Sequence, residues 1–188
     1  NHPEVIGTMG QIKSPIHLVE NEQDVAKLTI SNDQKIACVT QTTLSLDDTK
    51  SIINAIKKKY SHVIEPKKND ICYATTNRQM AVKKIASNCD LFIVIGAYNS
   101  SNSLRLVEVA KQYGANNSIL IESVDKFDIS LIDDVQNIGV TASASAPEIL
   151  VQNFIQFLKE NFTIIVNEPE YMKEDINFKI PQQLKVVG

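Results

Sequence analysis

Short runs rich in Val and Ile alternate with amphipathic stretches along most of this chain, and that alternation leaves few folds open to it. The strand-like runs are Ile36–Thr40, Leu91–Ile95, Ser118–Ile121, Asn137–Thr141 and Thr163–Val166. The helix-like stretches are Asp47–Tyr60, Asn77–Asn88, Asn102–Tyr113 and Glu148–Asn161. In the last, Ile149, Val151, Phe154, Ile155 and Leu158 suit one buried helical face. Strands that alternate with helices imply βαβ units and parallel sheets, so the expected class is α/β. Pro3, followed by helix-compatible residues, marks a further helix start.

The charged stretch Glu65-Pro66-Lys67-Lys68-Asn69-Asp70 reads as a linker. It divides the 188 residues into a first α/β unit over 1–68 and a second over 69–166. Residues 167–188 read as a tail, with extended pieces at Phe178–Ile180 and Leu184–Val187. Lys and Arg number 19 against 22 Asp and Glu, a net charge of −3. That balance argues against a broad nucleic-acid surface. No apolar run approaches the roughly 18–20 residues needed to span a bilayer, and no signal-peptide pattern is present. Three scattered cysteines, Cys38, Cys72 and Cys89, argue against a disulfide framework and for a reducing compartment. The chain opens on Asn1 rather than Met, and the expectation is a remnant of something longer.

Four strand-to-helix corners are crowded with hydroxyls and amides: Thr40–Ser45, Cys72–Asn77, Gly96–Ser103 and Thr141–Pro147. Thr76–Gln79 and Ser145–Glu148 have the spacing of capping boxes. Any one corner is explained by helix capping alone. Four together point further, because ligands of open parallel sheets bind beyond the carboxyl ends of the strands. Helix N-termini and neutral donors at that place suit a phosphate or diphosphate. No Gly-x-Gly-x-x-Gly or Walker A sequence is present, which disfavours a conventional dinucleotide or P-loop site.

Cys38, in an apolar strand, and Cys89, between helix and strand, read as structural. Cys72 lies on a polar corner, and packing stays open there beside a nucleophile, a redox thiol or a metal thiolate. His2 and Glu4 form a compact acid–base pair that is either solvated surface or catalytic. His17, His62 and the run Lys57-Lys58-Lys59 carry no functional pattern.

Five stretches resemble one family in order along the chain: HPEVIGTMGQ from His2, TQTTLSLDDT from Thr40, DICYATTNRQ from Asp70, NSSNSLRLVEVA from Asn99 and TASASAPEILVQN from Thr141. The likeness continues to the FKIPQQL segment near Phe178. On these residues the chain is similar to 4-hydroxy-3-methylbut-2-enyl diphosphate reductase, the iron–sulfur enzyme that ends the non-mevalonate isoprenoid pathway. The resemblance implies three similar α/β domains around a central 4Fe-4S cluster, with the diphosphate substrate between them; this chain would hold two of the three. It implies that Cys72 is a cluster ligand and that Glu4 is the proton source. Thr42 falls where a threonine touches the substrate hydroxyl and the proton relay. His2, Ser100, Asn102 and Ser145 fall on diphosphate-binding positions, with Ser101 beside them. The implied electron donor is ferredoxin or flavodoxin, and the implied location is the bacterial cytoplasm or a plastid-type organelle.

The family's other two cluster cysteines precede the HPE motif, in a stretch this sequence does not include. The expectation is therefore a C-terminal fragment that is inactive alone. Ser143 departs from a corner that is usually Gly-rich, as does Ala97-Tyr98 before Ser-Ser-Asn. Two readings from other classes remain beside the reductase. One is a non-catalytic diphosphate-binding module; the other is a thiol enzyme pairing Cys72 with His2.

Overall fold

The computed structural model describes residues 2–66 and 70–168. The tail pieces at Phe178–Ile180 and Leu184–Val187 lie outside the described residues, as do Lys67–Asn69 of the linker. The described residues form a mixed α/β fold with two small parallel sheets. Helices α1 (Pro3–Met9) and α2 (Glu22–Lys27) come first. Strand β1 (Ile36–Ala37), helix α3 (Leu46–Lys59) and strand β2 (Val63–Ile64) form one βαβ unit. Helix α4 (Tyr73–Ile85) leads into β3 (Leu91–Ile95), α5 (Ser101–Gln112), β4 (Ser118–Ile121), β5 (Ile138–Ala142) and α6 (Glu148–Asn161).

β3 is the central strand of a sheet ordered β4-β3-β5, parallel throughout. All five of its residues are buried. A parallel strand covered on both faces has no solvent side, which is why Leu91–Ile95 is an unbroken apolar run. Phe92 and Val94 face one core with Val82, Leu106 and Val109, from α4 and α5. Leu91, Ile93 and Ile95 face the other with Phe154 and Leu158, from α6. Phe127 meets Phe154 edge-on at 5.1 Å between ring centroids, which fills that second core. At the end of α5, Gly114 has φ +109°, a left-handed stop that a side chain would strain.

The strand expected over Ile36–Thr40 is shorter, because its partner β2 runs only two residues before Glu65-Pro66. Cys38 N–H still donates to Ile64 O at 3.0 Å, but Val39 is 70% exposed. β2 itself was not expected. Thr163–Val166 joins no ladder among the described residues; β-branched composition alone does not make a strand without an edge to pair with. The helix expected from Asn77 starts at Tyr73, capped at Cys72, and ends in a 3₁₀ turn over Ala86–Asn88. Neither expected capping box forms. Thr76 lies inside α4, and α6 is capped at Pro147 with no side-chain bond.

Two sets of side-chain bonds tie the start of α3 to the elements that follow it. The fully buried Gln79 amide donates to Leu44 O at 2.8 Å and accepts from Leu46 N–H at 3.1 Å. Asp47 accepts from Lys83 Nζ and from Tyr113 O–H, each at 2.6 Å. Those bonds, Lys83 first, hold the Asp47 carboxyl below the usual carboxylate range. A depressed folded-state pKa stabilises above the unfolded carboxylate value and loses that effect as pH falls through the folded value. Asp47 is 41% exposed, so solvent screening keeps the contribution small. Asp47→Asn is expected to cost about 1 kcal/mol at pH 7, with the gap to wild type closing as pH falls below roughly 3.8. Urea midpoints at a series of pH values measure both; equal midpoints at pH 7 would remove Asp47 from the list of stabilising contacts.

Candidate functional site

β3 and β5 are neighbours, yet their chains leave in opposite directions. β3 continues into α5, which packs on the Phe92 face, while β5 continues into α6, on the Leu91 face. In open parallel sheets, ligands bind where adjacent strands diverge in this way. Gly96–Asn102 and Ser143–Ser145 follow β3 and β5 at that place. Side chains crowd the Gly96 backbone there: a Cβ on Gly96 would stand 2.3 Å from Ser103 Oγ and 2.9 Å from Ser143 Cβ.

Ser100 is the N-cap of α5 and accepts from Ser103 N–H at 3.3 Å. Its helix presents free N–H groups and a partial positive charge at this corner. Asn102 is buried, and its Nδ2 donates to Ser143 Oγ at 3.3 Å. Ser145 is exposed, with its Oγ 3.4 Å from Ser143 Oγ. Arg78 of α4 donates to Ala142 O at 3.0 Å, which fastens α4 to the end of β5.

A second group meets this one from the N-terminal side. His2 is the N-cap of α1, its Nδ1 accepting from Glu4 N–H at 3.3 Å. Nδ1 also accepts from Gln41 Nε2 at 2.9 Å. Two donors on Nδ1 put the proton of a neutral ring on Nε2, which then donates to Ser101 Oγ at 2.9 Å. Gln41 Nε2 also donates to Glu4 Oε2 at 3.1 Å. The expected residues His2, Glu4 and Ser101 therefore form one connected set, although His2 and Ser101 are 99 positions apart. A cavity of about 220 Å³ lies against this set, lined by His2, Gln41, Thr43, Ser101 and Arg105 among others. Neither Cys72 nor Ser145 lines it.

Thr42 is exposed, and its carbonyl accepts from Cys72 N–H at 3.0 Å, so the two corners touch through backbone. Cys72 is exposed at the N-cap of α4. Burial pushes the thiols of Cys38 and Cys89 up, with Glu65 and Asp90 adding to the effect. Among the described residues, no group of three or more His, Cys, Asp and Glu is placed to hold a metal ion.

Two linking residues escaped the sequence reading. Gln41 lay within a recognised corner, but nothing local marked it as the bridge between His2 and Glu4. Ser143 stood out only as a departure from a Gly-rich corner, and its bond to Asn102 spans 41 positions.

The comparisons with known proteins agree with one another. The chain is 51% identical to the 4-hydroxy-3-methylbut-2-enyl diphosphate reductase of Histophilus somni, covering 98% of this chain and 60% of that protein. It is 45% identical to the reductase of the same name from Psychrobacter arcticus, covering 98% and 59%. It therefore spans about 60% of the length of these curated relatives. The solved structure of the E-1-hydroxy-2-methyl-but-2-enyl-4-diphosphate reductase from Plasmodium falciparum superposes with a TM-score of 0.86 at 37% identity, over 97% of this chain and 58% of that one. Residues 1–159 match the family described as LytB protein, and the chain belongs to that family.

Proposed function

We propose that this chain is the larger part of a reductase that removes the hydroxyl of 4-hydroxy-3-methylbut-2-enyl diphosphate. The observation that carries the reading is the bonded set His2, Glu4, Gln41 and Ser101, joined to the polar corner that opens α5. In the proposed reaction the C–O bond breaks and the hydroxyl leaves as water. Two electrons and two protons are consumed, one proton going to the leaving oxygen and one to carbon. The products are isopentenyl and dimethylallyl diphosphate.

His2, Ser100, Ser101, Asn102 and Ser145 bind the diphosphate in this reading. Hydroxyls, an amide and the N-terminus of α5 can hold it without a lysine cluster. Thr42 touches the substrate hydroxyl. Glu4 delivers a proton to the leaving oxygen, with Gln41 holding its carboxylate. Electrons come from a donor of the ferredoxin or flavodoxin class. The three unpaired thiols suit a reducing compartment, cytoplasmic or plastid-type.

The 4Fe-4S cluster that the family implies does not fit these residues by themselves. Such a cluster takes about four ligands, usually thiolates. Cys72 alone among the cysteines is exposed and beside the corners. It would serve as one ligand, with the others supplied from outside this chain. The test is turnover by the full-length protein, purified without oxygen and given reduced viologen. Consumption of the substrate with release of both products supports the reading; an intact, reduced protein that leaves the substrate unchanged overturns it.

A further inference from the structure

Ser143 is 1% exposed, and its backbone N–H donates to Ile95 O at 2.8 Å. The sheet thus fixes its place at the end of β5. Its hydroxyl lies between the Asn102 amide, at 3.3 Å, and Ser145 Oγ, at 3.4 Å. Asn102 is 5% exposed, and its Oδ1 is buried with no partner. Native structures seldom leave such an atom unpaired, because its lost hydration is not replaced.

A phosphate oxygen can pair with this amide only through Nδ2, since the anion accepts and does not donate. One of the two Nδ2 hydrogens is already engaged by Ser143 Oγ. A hydroxyl, however, both accepts and donates. When the amide turns over, Ser143 O–H can donate to Oδ1, and both Nδ2 hydrogens are freed for the anion. Neither alanine nor glycine at 143 could hold the amide in either orientation. We propose that Ser143 is a positioning residue of the diphosphate site: its buried hydroxyl anchors the inner end of the Asn102 amide in both orientations and sets Ser145 beside it. This inference rests on the diphosphate reading of Ser100, Asn102 and Ser145.

Calorimetric titration of the full-length protein with inorganic pyrophosphate tests it. Ser143→Ala is expected to weaken binding about three- to tenfold, the span of one neutral hydrogen bond. Ser143→Cys keeps the volume but donates weakly, and it carries the comparison if the alanine variant does not fold. In an Asn102→Ala background, the same change at 143 is expected to add less than about twofold, because its partner is gone. Equal factors in the two backgrounds would mean a serine that only supports the fold, and would overturn the inference. Wild-type affinity in Ser143→Ala, with weakened binding in Asn102→Ala, would overturn it while leaving the diphosphate reading in place. Failure of the wild-type protein to bind pyrophosphate would remove both.

Discussion

Glu4→Gln in the full-length protein is expected to lower turnover by about a hundredfold or more, the usual weight of a positioned proton donor. Pyrophosphate affinity should stay within about twofold, since the amide is as large as the carboxylate and removes no donor to the anion. The geometry separates the two effects. Glu4 sits in the first turn of α1, and its Oε2 accepts from Gln41 at 3.1 Å. A glutamine oxygen can accept the same bond, so the His2–Gln41–Ser101 set survives the substitution. What disappears is the capacity to gain and release a proton. Steady-state turnover and a pyrophosphate titration, run side by side, check this. If affinity fell as far as turnover, Glu4 would belong to binding and not to proton delivery.

The second large effect is structural. Gln79→Leu is expected to lower the unfolding free energy by about 2–3 kcal/mol, because it strands the Leu44 carbonyl and the Leu46 N–H together. Leucine is close to glutamine in size, so the loss would report the two hydrogen bonds and little repacking. The Gln79 amide closes the corner that carries Gln41 and Thr42 onto α4, the helix capped at Cys72. Urea unfolding gives the magnitude. A change under about 0.5 kcal/mol would show that water replaces both partners and that the corner stands without the amide.

Much of the fold was legible in the sequence, and the reasons are local. Leu91–Ile95 and Ser118–Ile121 were found at their observed limits because short, buried, β-branched runs between polar turns have few other uses. α6 was bounded correctly because Pro147 precedes it and its apolar spacing is regular. Errors arose where a distant partner decided the outcome. Gln79 has the spacing of a capping-box partner, yet its amide reaches 35 positions back to Leu44. Val63–Ile64 is a strand only because Ile36–Ala37 lies beside it. The site followed the same division. His2, Glu4 and the Ser-Ser-Asn corner were marked by motif, whereas Gln41 and Ser143, which bind those groups together, were marked only by three-dimensional proximity.

The burial of β3 on both faces has a consequence for amide hydrogen exchange. The Leu91–Ile95 amides, paired on both sides within two packed cores, exchange with solvent only when the whole sheet opens. α1 buries no residue and is tied to the body through the His2 and Glu4 side chains. Its amides can therefore exchange by a local opening that leaves the corners after β3 and β5 intact. Half of the proposed site is thus as durable as the fold, and the half that carries the acid is held by a few side-chain bonds. A ligand bridging the two would slow exchange in α1 far more than in β3.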